Sequence, residues 1–205
     1  MKIINTVKTM KTIKTMKTMK TMKTIKLLAI LFISALTFTA CSEDDHDEHD
    51  DHDHENEVIT TVDYTLTNGS DEVTLTFFDL DGMGGNEGEA TVSGPLTANT
   101  TYTGITEFLN ATEDPVENVT EEIMEEDDEH EIFYTSTIAG LTFTKTDVDG
   151  NDNLLGLKTL VTTGEAGSGS ITIVLKHEPT KPNNGSAEDA GGSTDIEVTF
   201  NVTVQ

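Results

Sequence analysis

Cysteine and cations are both scarce in this chain of 205 residues. Cys41 is the only cysteine, so no intramolecular disulfide and no zinc–thiolate cluster can form. After residue 40 the chain has no arginine and four lysines, while all 38 acidic residues lie beyond Cys41. Because nucleic-acid binding needs clustered Lys or Arg to contact phosphates, nucleic acid is excluded as a partner.

Several signatures of enzymes are also missing. The sequence has no Gly-rich phosphate loop, no nucleophile elbow around a serine, and no spare cysteine for covalent chemistry. The sequence therefore predicts a protein that is not an enzyme and that requires no cofactor, apart from a divalent metal considered below.

The first 40 residues have the composition of a secretory signal peptide. They contain eight lysines and no acidic residue, and they end in an apolar run over residues 27–38. That run is shorter than the roughly 20 apolar residues that span a bilayer. Cys41 follows Thr39 and Ala40, and this arrangement resembles the cleavage site of bacterial lipoproteins. The resemblance implies a diacylglycerol on Cys41 and an acyl chain on its amino group, and two or more chains give stable membrane anchoring.

Residues 41–57 form an acidic segment without apolar side chains beyond the lipidated cysteine. Residues 43–57 hold ten carboxylates and four histidines, a composition that predicts a disordered tether. Residues 42–45, Ser-Glu-Asp-Asp, resemble the export signal of surface-exposed lipoproteins in the Bacteroidota. We therefore expect an outer-membrane protein at the cell surface, with the periplasmic face as the alternative, whose membrane partner is reached through the lipid anchor.

The four histidines of the tether admit two interpretations. His46, His49, His52 and His54 alternate with Asp and Glu, and this mixture of nitrogen and oxygen ligands can take up Zn, Cu or Ni. A disordered segment has no fixed ligand geometry and no surrounding groups that orient the imidazoles, which favours a solvated spacer and export signal over metal capture.

Residues 58–205 have the length of one domain, and their main pattern is alternation with period two. In the clearest case Ile196, Val198, Phe200, Val202 and Val204 alternate with polar residues, starting with Asp195, on the opposite face. The pattern predicts about eight strands in an antiparallel β-sandwich of the Ig-like or Greek-key type. The predicted strands are 58–66, 73–77, 100–109, 132–138, 141–145, 157–163, 171–176 and 195–204.

Turn and helix signals complete the predicted architecture. Gly69 predicts a tight turn between the first two strands, and the glycines of 164–169 predict a second hairpin. Pro115 begins a stretch with Val116, Val119 and Ile123 at helical spacing, which predicts one short helix that ends before residue 127.

Two further metal hypotheses arise within the domain. Asp147 and Asp149 precede Gly150 in an acidic turn that suits calcium, although turn chemistry alone also explains Asp and Gly there. His130 and His177 each fall in phase with the inward face of a predicted strand and have acidic neighbours. Each imidazole can ligate a metal or carry out acid–base chemistry, but a hydrogen-bonded histidine at a strand end is the favoured interpretation.

The chain as a whole resembles a group of short Bacteroidota lipoproteins, some of which are labelled type 1 periplasmic binding fold superfamily proteins. The stretches that carry the resemblance are 57–61, 79–82, 96–102, 175–179 and 194–205. The labelled fold has two lobes of alternating helices and parallel strands, unlike the strands predicted here. The resemblance thus implies a location and no catalytic residue.

These observations lead to one leading function and one alternative. The leading prediction is a lipid-anchored, non-enzymatic module that binds an envelope or extracellular ligand. The alternative is a lipoprotein that binds divalent metal, Zn, Cu, Ni or Ca, through the His/Asp tether.

Overall fold

The computed structural model of the protein describes residues 57–80 and 88–205. In these residues the chain forms nine β-strands and two short α-helices. In chain order they are β1 (Thr61–Asn68), β2 (Asp71–Phe78), β3 (Glu89–Val92), β4 (Thr101–Leu109), α1 (Val119–Glu125), β5 (His130–Ser136), β6 (Thr142–Lys145), β7 (Lys158–Thr162), β8 (Gly167–His177), α2 (Ala187–Ala190) and β9 (Ser193–Val204).

The strands form two antiparallel sheets. The larger sheet has the order β3-β2-β1-β4-β7-β6, and the smaller sheet has the order β5-β8-β9. Alternate residues of β1 and β9 are buried while the residues between them face outward, as half-buried strands require. The predicted all-β sandwich is confirmed.

The larger sheet contains a Greek-key connection that also contacts the smaller sheet. The spatial order β3-β2-β1-β4 places the fourth strand beside the first, which is the defining order of this motif. The connection before β4 passes the end of β9, where the amide of Leu96 donates to the carbonyl of Thr203 at 2.9 Å. The amide of Gln205 donates in turn to the carbonyl of Leu96 at 2.8 Å, so backbone hydrogen bonds join this connection to the smaller sheet.

The core contains large aromatic side chains that are fully buried, among them Tyr64, Tyr102 and Phe200. The hydroxyl of Tyr64 is hydrogen-bonded to Oγ1 of Thr159 at 2.7 Å, which satisfies its polar end. Gly104 leaves room for this pair, because a Cβ at that position would lie 2.6 Å from the Tyr64 hydroxyl. The tyrosine therefore fills space that only glycine leaves open on β4.

All eight predicted strands form, and the two turn predictions have different outcomes. Gly69 has a φ of +60° and connects β1 to β2, as predicted. The predicted hairpin at 164–169 is wrong, because β7 pairs within the larger sheet and β8 within the smaller one. This segment carries the chain from one sheet to the other. The short edge strand β3, which pairs with β2, was not predicted.

The predicted short helix exists but begins later than expected. Helix α1 starts at Val119, and Val119 and Ile123 are buried while Val116 is 54% exposed. Residues Asn110 and Glu117 exchange two backbone hydrogen bonds of 3.1 Å, which hold the chain before the helix in an extended pairing. The helix ends before residue 127, as predicted. In the part of the chain that the structure describes, no helix is long and apolar enough to cross a membrane.

Candidate metal centre

Two histidines meet at one end of the smaller sheet. His130 is the first residue of β5, His177 is the last residue of β8, and the two are direct partners in the antiparallel register. Both residues are buried, at 0% and 6% exposure, as their phase with the inward faces predicts. Their rings stack with centroids 4.8 Å apart and planes inclined by 18°. The structure therefore brings together two residues that lie 47 positions apart in the sequence.

Asp195 is the third member of the cluster, and the alternation pattern placed it on the solvent face. That placement is wrong because β9 contains a β-bulge. Leu175 pairs with Ile196 and Lys176 pairs with Thr194, so Asp195 is the extra residue between them. A bulge redirects a side chain, and the side chain of Asp195 is fully buried beside His130. No residue type marks a bulge reliably in a sequence, so the alternation gave no sign of this change.

The potential ligand atoms of His130 and Asp195 face one another. Nε2 of His130 lies 3.9 Å from Oδ2 of Asp195. Within the described residues, this nitrogen and both carboxylate oxygens of Asp195 are buried and have no hydrogen-bond partner. An unsatisfied buried polar group costs about 1–3 kcal/mol of folding free energy, so these groups destabilise the metal-free protein.

A backbone carbonyl fixes the tautomer of His130. Nδ1 of His130 lies 3.1 Å from the carbonyl oxygen of Glu126, and since a carbonyl only accepts, Nδ1 carries the hydrogen. Neutral His130 then presents the lone pair of Nε2 toward Asp195. A metal-bound histidine usually has the same arrangement, with its second nitrogen donating to a carbonyl or carboxylate.

Burial shifts the pKa values of Asp195 and His130. Burial raises the pKa of Asp195 to about 6, although His177 and Lys176 act in the opposite direction. Burial also lowers the pKa of His130, which outweighs the effect of its hydrogen bond to Glu126. A low pKa keeps the imidazole neutral, and neutral imidazole is the form that binds metal.

Additional carboxylates flank the two histidines. Glu57 and Glu126 form a second potential ligand group with His130, and Glu129 and Glu178 form a third with His177. Nε2 of His177 is 3.5 Å from Oε2 of Glu129. Burial, together with hydrogen bonding to Glu122, raises the pKa of Glu57 to about 7. Several carboxyl groups therefore surround the cluster, and those that are ionised favour a cation.

The geometry suits a borderline transition metal. One donor atom from each of His130, His177 and Asp195 lies within 4.8 Å of the others. Zinc with ligands at about 2.0–2.2 Å holds them about 3.4 Å apart in a tetrahedron, so side-chain shifts of about 1 Å close the site onto an ion. Two imidazoles and one carboxylate favour Zn, Ni or Cu, whereas Ca and Mg prefer shells made of oxygen.

Calcium was one hypothesis for the acidic turn at Asp147 and Asp149. In the structure, hydrogen-bond donors of the protein itself contact both carboxylates. Oδ1 of Asp149 accepts hydrogen bonds from the amides of Asn151 and Asn153 at 2.9 and 2.8 Å. Its Oδ2 accepts from Nζ of Lys181 at 3.1 Å. Burial alone would raise the pKa of Asp149, but hydrogen bonds from Asn153 and Lys181 outweigh it and lower that pKa. Oδ1 of Asp147 accepts from the amide of Gly156 at 3.0 Å. Turn chemistry therefore accounts for both carboxylates.

The other predicted ligands, His46, His49, His52 and His54, lie outside the described residues, as does Cys41. The chain matches no protein-family model, no curated protein and no solved structure.

Proposed function

We propose that the protein is a lipid-anchored, non-enzymatic metal-binding protein of the bacterial envelope, and that it binds a zinc-class ion through His130, His177 and Asp195. The observation that supports this proposal is the buried carboxylate of Asp195, which faces Nε2 of His130 without a hydrogen-bond partner among the described residues. The sequence alone favours a binding module without naming a ligand. The buried cluster favours a metal as that ligand.

A bound ion would remove the energetic problem of the site. It would take the lone pair of His130 and a carboxylate oxygen of Asp195 as ligands, so these buried groups would no longer lack partners. The carbonyl of Glu126 already orients His130, at 3.1 Å from Nδ1. Asp195 and His130 come from adjacent ends of a packed sheet, which fixes the positions of both ligands before an ion arrives.

The proposed location follows from the sequence. Cys41 carries the lipid anchor, residues 43–57 form the tether, and the acidic residues after Cys41 direct the protein to the outer-membrane surface. The tether histidines add weaker metal sites in this proposal. Their role is to raise the local concentration of metal near the membrane.

The decisive experiment is a zinc titration of the metal-free protein in competition with a chromophoric chelator. Asp195→Asn keeps the size of the side chain and removes the anionic ligand, so we expect zinc affinity to fall about 100-fold or more. His130→Gln should give a comparable loss. Asp63→Asn is the matched control, because Asp63 on β1 lies outside the cluster and accepts a hydrogen bond from Thr76. Its zinc affinity should stay within about threefold of wild type.

Equal zinc affinity of the wild type and Asp195→Asn would overturn the metal-binding proposal. Titrations with Ca²⁺ and Ni²⁺ test the class of ion, and tighter binding of Ca²⁺ than of Zn²⁺ would contradict it.

A separate experiment tests the anchor. Cys41→Ser in the native host should shift the protein from the detergent phase to the aqueous phase in a phase-partitioning assay, because no acyl chain can be attached. If the variant stays with the membrane, the lipid anchor is wrong, whatever the outcome for zinc.

A further inference from the structure

A concave groove lies beside β4 and α1. It encloses about 460 Å³ and is lined by residues of β4, α1 and the segment from Asp147 to Lys158. None of the proposed metal ligands lines it. Its volume falls within the range of pockets that hold small ligands or anchoring side chains.

The floor of the groove is apolar and open to solvent. Ile105, Met124 and Val148 line it, with 48%, 52% and 50% of their surfaces exposed. Leu155 and Leu157 also line the groove and are buried. Large apolar side chains that converge on one concavity mark an interaction site, and methionine adapts its shape to a bound group.

The rim of the groove carries carboxylates. Glu107, Glu121, Asp127 and Asp147 line it, and Lys158 is the only cation among its lining residues. Two of these carboxylates also hold the walls in place: Oδ1 of Asp127 accepts from the amide of Gly150, and Oδ1 of Asp147 accepts from the amide of Gly156. The groove therefore presents an apolar floor inside a negative rim.

The walls are fixed to one another before anything binds. Oγ1 of Thr120 on α1 accepts from the amide of Phe108 on β4 at 2.8 Å, which fastens the helix to the sheet. The amide of Thr106 donates to the carbonyl of Leu157 at 3.0 Å, which fastens the opposite wall to the same strand. A preformed groove loses little conformational entropy when a partner binds.

We propose that this acid-rimmed groove docks a basic amphipathic segment of another protein, with an apolar side chain on Ile105, Met124 and Val148 and flanking Lys or Arg on the rim. The argument for this occupant is charge complementarity. The chain after Cys41 has four lysines and 38 acidic residues, so a second copy would be repelled. An anionic lipid surface would be repelled for the same reason.

The test measures binding of a fluorescein-labelled peptide of Lys and Leu, about 12 residues long, by fluorescence anisotropy at about 150 mM salt. The full-length wild type should bind this peptide at least about tenfold more tightly than matched peptides with Ser in place of Leu or Glu in place of Lys. Equal binding of the Ser peptide would show attraction by charge alone and would overturn the proposal.

Paired variants locate the binding site. Ile105→Ser with Met124→Ser should weaken binding about tenfold, whereas Phe78→Ser with Leu80→Ser, which changes exposed apolar residues outside the groove, should change it by less than about twofold. Glu107→Lys with Glu121→Lys should likewise weaken binding more than Glu72→Lys with Glu197→Lys, a pair with the same change in net charge. Equal effects of the two charge pairs would overturn the proposed location.

Two measurements keep the result interpretable. A photo-crosslinking version of the Lys/Leu peptide should attach to the unmodified wild type at residues 105, 124 and 148. Attachment elsewhere contradicts the proposal, and this result does not depend on the folding of any variant.

Flotation with phosphatidylcholine vesicles tests the membrane as an occupant, using Cys41→Ser protein that lacks acylation. If the protein binds vesicles, Ile105→Ser abolishes that binding, and the Lys/Leu peptide does not bind specifically, then the groove docks a lipid surface and the peptide proposal is overturned.

Discussion

The turn around Asp149 and the cluster around Asp195 each bury a carboxylate, but the two carboxylates have opposite surroundings. Asp149 accepts hydrogen bonds from two backbone amides and from Lys181, and these bonds lower its pKa. Asp195 has no hydrogen-bond partner within the described residues, and burial raises its pKa to about 6. The first carboxylate organises a loop, whereas the second has its oxygens free for a ligand.

The difference shows why acidic composition is a poor guide to metal sites in this protein. The Asp-Gly turn at 147–150 has the residue types of a calcium loop, yet its oxygens are used by the donors of the loop. The cluster at His130 differs because buried ligand atoms of His130 and Asp195 have no hydrogen-bond partner among the described residues. Since buried polar groups are nearly always satisfied, an unsatisfied group of this kind points to a missing partner.

The largest expected effect that separates the two regions is stabilisation by zinc. Free zinc at about 1,000 times its dissociation constant should raise the free energy of unfolding of the wild type by about 4 kcal/mol. Asp195→Asn should lose this increment, while Asp149→Asn should keep it. Urea unfolding with and without zinc measures both. If zinc stabilises Asp195→Asn and the wild type equally, the two carboxylates do not differ as we infer.

The second effect concerns the turn. Asp149→Ala leaves the side chain of Lys181, which is only 5% exposed, without its carboxylate partner. Loss of one partner of a buried ion pair typically costs about 3–5 kcal/mol, so the free energy of unfolding should fall by about that amount without zinc. Chemical denaturation measures it, and far-UV circular dichroism checks that the variant still folds. A loss below about 1 kcal/mol would mean that the turn is not structural.

The third effect is the pH dependence of the metal-free protein. The folded-state pKa of Asp195, about 6, lies above its unfolded value, so its contribution to stability is full below about pH 4 and is lost as the pH rises through 6. Asp195→Asn removes this titration. The variant should therefore be more stable than the wild type above pH 6, by up to about 3 kcal/mol, and the gain should shrink toward pH 4. Urea unfolding between these values, in the presence of a chelator, gives the curve, and a gain independent of pH would contradict it.

The smallest effect is expected from the tether. Deletion of residues 43–56 should leave the free energy of unfolding within about 0.5 kcal/mol of wild type. One tightly bound zinc ion should remain, and only weakly bound zinc should be lost, because the composition of the tether predicts no preformed ligand geometry. Isothermal titration calorimetry separates the two classes of site. If the deletion abolishes the tightly bound zinc, the tether histidines form the main metal site and the cluster does not.

Strand periodicity was sufficient to predict most of the fold. The alternation of β9 is regular from Val198 to Val204, since each second residue must face the core. The same reasoning correctly placed His130 and His177 on inward faces. The pattern could not show that β7 and β8 belong to different sheets, because glycines in 164–169 are equally compatible with a hairpin and with a crossover.

The candidate site was only partly predictable for a related reason. The strand register brings His130 opposite His177, and register depends on tertiary pairing that a single sequence does not reveal. Asp195 escaped prediction because the bulge shifts the phase of β9 by one residue at that position. The hydrogen bond from Lys181 to Asp149 could not be predicted either, since the two residues are 32 positions apart in the sequence.

The bulge in β9 also makes one proposed metal ligand, Asp195, separable from the scaffold. Asp195 is one residue more than the ladder with β8 needs, so a chain shorter by that residue could pair without interruption from Ser193 to Val204. The sheet, its buried face and both histidines would persist, and only the anionic ligand would be lost. A single-codon deletion or insertion at this point should thus be enough to remove or restore the proposed metal site while the sandwich keeps its architecture.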